Sequence, residues 1–229
     1  MGVGTLLRES WNGVARRPKL IAWHLLGNAA LFALFFAWLS LPDRTAADLA
    51  LTVLLGAAVA FGALLLHGST MALFHDALTR KPCAVAVRRL HLLLLWAAAL
   101  AATALIFWWL GRARGQPLWI LGLFVSLALL PLVSQAAGGG FDRASALAVT
   151  AKPSYWLTAL VFCVMGVFAP GLLVSWTPET TGIANQTLSM LARFGAACML
   201  AVVAWLVLVA VIGKLGSAIQ AETARQPAG

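Results

Sequence analysis

Acidic side chains are scarce in this chain. Its 229 residues include seven Asp and Glu against sixteen Lys and Arg. None of the seven lies in any of six long apolar stretches, at 20–41, 49–74, 90–111, 117–136, 154–176 and 194–213, and no Lys or Arg lies there either. Carriers coupled to protons or sodium ions usually place a carboxylate or cation at mid-membrane, where its cost marks it as functional. The empty stretches therefore count against ion-coupled pumping and against acid–base catalysis by paired carboxylates within the membrane. Cysteine is scarce too. Cys83, Cys163 and Cys198 form no CxxC pair, which argues against a disulfide framework. The chain also lacks a GxSxG nucleophile elbow, and Gly138-Gly139-Gly140 is not followed by the Gly-Lys-Ser/Thr of a phosphate loop.

Hydrophobic residues make up 62% of the chain and charged residues only 10%, whereas a soluble domain is about one quarter charged. Each apolar stretch has about 20 residues or more, enough for a helix to cross a hydrocarbon core about 30 Å thick. The fold class expected is all-α: one polytopic membrane domain over 1–229, with six transmembrane helices and no separate soluble domain. Arg16, Arg17 and Lys19 before the first stretch resemble the start of a signal peptide. The stretch is longer than a signal core and no cleavage site follows it, so it reads as a retained span.

The net charge of +9 sits at span ends. There it suits anionic lipid headgroups, and no basic stripe for nucleic acid accompanies it. With the N-terminus placed inside, twelve Lys and Arg fall on the cytoplasmic side and four outside. That split orients both termini to the cytoplasm, as in a bacterial inner membrane. Tryptophans at 23, 38, 108, 109, 119, 156 and 176 mark the span ends as an aromatic belt.

Residues 1–19 form an amphipathic cytoplasmic segment. Val3, Leu6, Leu7, Trp11 and Val14 share one helical face, with Arg8, Glu9 and Asn12 opposite, the pattern of a helix lying in the interface. Arg17-Pro18 then turns the chain into the first span. Lys81-Pro82 and Lys152-Pro153 repeat this basic–proline step before the third and fifth spans. The pattern reads as three helical hairpins, each preceded by a short surface helix. In the second copy either Lys81-Pro82 or Arg88-Arg89 takes the matching place. Residues 214–229 form a cytoplasmic tail.

Candidate functional residues are few. His24, His67 and His91 lie toward the cytoplasmic ends of three spans. They are candidates for metal or pigment binding only if the fold brings them together, since no HxxxH motif links them. His75 and Asp76, adjacent in sequence, diverge by about 100° on a helix and make no dyad. Asn28 is the best placed polar group within a span. The other in-span polar residues, Thr103, Ser126 and Gln135 among them, are expected to bond to their own or a neighbouring helix. Pro131 and Pro170 are candidate kinks or hinges, and Ala58-x-x-x-Gly62 and Gly166-x-x-x-Pro170 are candidate close-packing positions.

Trp11 followed by Arg17-Pro18-Lys19-Leu20, and Leu129-Leu130-Pro131-Leu132-Val133 leading through 138–142 to Lys152, resemble a broad group of uncharacterised six-span bacterial membrane proteins. The membrane domain of some glycerophosphoryl diester phosphodiesterases is similar. No catalytic domain accompanies the spans, so the resemblance implies a membrane domain and no enzyme activity. The expected function is a non-enzymatic accessory or scaffold protein, with membrane lipids and other membrane subunits as partners. The alternatives are a transporter component for a lipid or other apolar solute, and metal or pigment binding through the histidines.

Overall fold

The computed structural model describes residues 2–42, 44–75, 82–114, 118–138, 141–176 and 182–225. Asp43, Asp76, Arg80, Lys81, Pro117, Gly139, Gly140 and Glu179 lie outside them. Ten α-helices account for most of the described chain: α1 (Val3–Ala15), α2 (Pro18–Leu39), α3 (Ala46–His75), α4 (Pro82–Arg88), α5 (Leu90–Arg114), α6 (Trp119–Gly138), α7 (Arg143–Ala151), α8 (Pro153–Phe162), α9 (Ala169–Ser175) and α10 (Ile183–Arg225). A π-helical turn, Cys163–Phe168, joins α8 to α9. Six helical stretches are long and apolar enough to cross a membrane. Their outward faces carry bare hydrocarbon, with Leu54, Leu95, Trp109 and Leu172 each more than 60% exposed. A soluble monomer does not present apolar surface on this scale. The chain is an all-α polytopic membrane protein. A short helix (α1, α4 or α7) stands before the first, third and fifth spans.

The chain divides into two compact units. Met1–Leu26 and Pro153–Val211 form one, Gly27–Lys152 and Ile212–Gly229 the other. In the second unit, α2 and α3 approach closely at glycines. A Cβ on Gly27 would stand 2.8 Å from Leu66, and one on Gly62 would stand 2.8 Å from Leu31. Small residues permit this approach, and membrane helices depend on it because lipid provides no hydrophobic drive to pair them. Gly122 lies against Phe107 and pairs α6 with α5. Arg89 directs Nη1 toward the carbonyls of Gln135 and Ala136, each 3.5 Å away. Those carbonyls are at the C-terminal end of α6, where the helix dipole favours a cation.

Two of the scarce acids cap helices. The Thr45 backbone N–H donates to the Asp48 carboxylate at 2.9 Å, and the Asp48 N–H donates to Thr45 Oγ at 3.1 Å. This is a reciprocal capping box at the start of α3. Asp142 accepts from the Ser145 N–H at 2.7 Å at the start of α7. That bond holds the Asp142 carboxyl below the usual carboxylate range. A lowered native pKa means the stabilisation is present above the unfolded pKa and lost as pH falls through the native one. Asp142→Ala is therefore expected to lower the melting temperature at neutral pH and to narrow its gap from wild type in acid. Asp142→Asn should keep the cap and lose that pH dependence. Thermal melts from pH 7 to pH 3 check both; equal slopes in all three proteins would refute the assignment.

Hydroxyls inside the spans bond to their own helices, as expected from sequence. Ser69 and Thr70 donate to the Leu66 carbonyl at 3.0 and 2.8 Å, and Thr103 donates to that of Ala99 at 2.8 Å. Helix α6 continues through Pro131. Pro170 has a larger local effect. It lacks an N–H, and its ring conflicts with the carbonyl four residues earlier, at Gly166. The turn that contains Gly166 is π-helical, and the Ala169 N–H reaches back five residues to the Val164 carbonyl. Helix α10 is 43 residues long, or about 64 Å, and runs well past both ends of its charge-free stretch.

Candidate functional site

The first unit contains an apolar groove, and α1 forms one wall. The chain makes this helix amphipathic. Leu6, Ser10 and Val14, spaced by four, form its buried stripe. Leu7, Arg8 and Trp11 form the neighbouring stripe and face the groove. The second wall comes from α8 and the π-helical turn, through Thr158, Val161, Phe162 and Met165. The third comes from α10, through residues from Met199 to Leu208 that include Val203 and Ala204. Two contacts fix the span-to-span spacing. Gly166 faces Ala204, where an added Cβ would stand 3.0 Å from that of alanine, and the Phe162 and Trp205 rings meet edge to face at 6.3 Å.

The groove encloses about 530 Å³, within the range of small-molecule sites. Its interior is almost wholly carbon. The one interior hydroxyl, on Thr158, is 2% exposed and donates to the Ser154 carbonyl at 2.8 Å. That proton is committed to the helix itself. Arg8 is the only charged lining residue, and no hydrogen bond or ion pair holds it among the described residues. Such an interior suits hydrocarbon. A smaller cavity of about 300 Å³ lies in the same unit against Val174, Met190, Leu191, Arg193 and Phe194. Arg193 donates through Nε to the Ser189 carbonyl at 3.2 Å, while its Nη1 is enclosed without a partner.

Comparison with protein families, curated proteins and solved structures finds no match. The groove therefore has to be interpreted from its own chemistry.

Each residue singled out from sequence can be placed within one of the two units. His24 is fully buried in α2, within the first unit. His67 is half-buried in α3 and His91 is exposed on α5, both within the second unit. Among the described residues no three His, Cys, Asp or Glu side chains form a group able to hold a metal ion. Asn28 is half-buried in α2 and Pro131 is buried in α6, both in the second unit. Pro170 lies in α9, two residues beyond the π-helical turn that supplies Met165, and is not itself one of the groove's lining residues. Sequence reasoning placed Leu7 and Trp11 on the apolar face of α1 and Arg8 opposite, without assigning any of them a site. The available signal was the spacing of Leu7 and Trp11, four residues apart with Arg8 adjacent, but it does not say which spans that face would meet.

Proposed function

We propose that this protein is a non-enzymatic integral membrane accessory protein of a bacterial inner membrane, and that it works by holding a hydrocarbon chain in the α1–α8–α10 groove. The carrying observation is the groove itself: about 530 Å³, walled by carbon, with its one interior hydroxyl already bonded. Association with other membrane subunits belongs to the same reading, since broad apolar helix faces are left uncovered. The twelve-to-four distribution of Lys and Arg supports placing both termini, and with them α1, on the cytoplasmic side.

A second reading, a component that moves a lipid or apolar solute, is favoured by the π-helical turn in the groove wall. Single π turns interrupt regular helix geometry and recur at functional sites. Movement would require the groove to open and close, and the Pro170 region is where span geometry already departs from regular helix.

The test is retention. Native mass spectrometry of the protein purified in mild detergent should show a bound acyl-chain species. Val203→Phe, which fills the groove, should reduce that signal at least about fivefold, and Leu200→Ala, which enlarges it, should keep it. Equal retention by wild type and Val203→Phe, with both variants folded by circular dichroism, would refute the reading.

A further inference from the structure

We infer that the occupant of this groove is an anionic phospholipid, with one acyl chain inside and its phosphate on Arg8. The inference rests on the proposed function and adds the class of ligand to it. Three observations carry it.

The first is polarity. The interior offers no spare donor or acceptor, so the enclosed part of the ligand is hydrocarbon. A polar group placed there would go unsatisfied.

The second is length. The α10 wall runs from Met199 to Leu208, about 14 Å at the helical rise. Half of a hydrocarbon core about 30 Å thick is about 15 Å. The wall therefore matches the depth of one leaflet, the reach of a lipid tail from headgroup to midplane.

The third is charge. Arg8 is the one charged residue of the lining among the described residues. It is exposed, on the helix whose apolar stripes include Leu6, Leu7 and Trp11, and among the described residues no carboxylate forms an ion pair with it. Its planar donor fork suits a phosphate. Arg16 and Arg17, in the turn after α1, and Lys19, at the start of α2, raise the local preference for anionic lipid. A zwitterionic lipid would satisfy the tail requirement but gain less from these cations.

The experiment uses the full chain in mild detergent, with phosphatidylglycerol and phosphatidylcholine of identical acyl chains added in equal amounts. Retained lipid is counted by native mass spectrometry. Wild type should retain phosphatidylglycerol over phosphatidylcholine by about fivefold. Arg8→Gln should bring that ratio close to one while still retaining lipid, and Arg8→Lys should restore most of the preference. Arg8 is exposed, so these variants leave the packed core intact. Val203→Phe should lose both lipids.

Equal retention of the two lipids by wild type overturns the headgroup assignment and leaves the acyl groove standing. Failure of wild type to retain either lipid overturns both. An unchanged preference in Arg8→Gln assigns the selectivity to other cations and overturns the role of Arg8. Displacement of phosphatidylglycerol by a free fatty acid of the same tail, at equal concentration, overturns the phospholipid in favour of a single-chain acid.

Discussion

Tyr155→Ala is expected to lower the melting temperature of the detergent-solubilised protein by about 6–12 °C. Tyr155 is the largest of the fully buried side chains and is 0% exposed near the start of α8. Its ring lies edge-on to Trp156 at 5.4 Å. Deleting a buried aromatic ring costs about 3–5 kcal/mol in soluble proteins. Part of that is the transfer of hydrocarbon from water, which is smaller where lipid surrounds the unfolded helices. The lost contacts and the cavity remain, so the lower end, about 3 kcal/mol, is expected. For a chain of this size each kcal/mol corresponds to about 2–4 °C. Tyr155→Phe keeps the ring volume and should melt close to wild type or a few degrees below it. Thermal unfolding followed by circular dichroism checks both. A Tyr155→Ala melt within 2 °C of wild type, about 1 kcal/mol or less on the same scale, would show that this position tolerates a void.

The second large effect is expected at Gly216, where α10 passes the loop before α7. A Cβ built there would lie 2.7 Å from Cδ1 and Cγ of Phe141. Phe141 is 2% exposed, so its ring is packed on the side away from Gly216 as well. Overpacking of this kind costs about 1–3 kcal/mol. Gly216→Ala is expected near the lower end, and Gly216→Leu at or beyond the upper end. Phe141→Leu should recover part of the loss in Gly216→Ala, because the two positions share one contact. A double-mutant cycle reads that coupling directly, and strictly additive effects would exclude it.

The six spans were legible because hydropathy is local: about 20 residues without charge suffice to call for a crossing, whatever they pack against. The entry helices were legible for a similar reason. Residues 82–88 form α4, close to the short surface segment expected before Leu90. Helix ends governed by caps also carry a local signal. Thr45 and Asp48, three apart, have capping-box spacing, and Asp142 precedes Ser145 by the same interval.

Tertiary choices were harder to read. Arg193, expected in the segment before the last span, sits within α10, because nothing between Ile183 and Phe194 prevents a helix from starting early. Ser10 interrupts the apolar face of α1 by sequence, yet it is as buried as Leu6. The groove depends on which two spans accept α1, and no periodicity within α1 encodes that choice. Pro170 announced a disturbance, but the sequence did not say whether the helix would bend or widen.

The widened turn at Cys163–Phe168 also bears on how this chain tolerates changes of length. In an ordinary transmembrane helix, adding or losing one residue rotates everything beyond it by about 100° and turns packed faces toward lipid. A π turn already absorbs one surplus residue within its wider loop. Trimming a residue there would tighten the turn toward regular α-helix while leaving Thr158 on one side and Leu172 on the other with their outlooks unchanged. The fifth span can thus drift in length by a residue without scrambling what it touches.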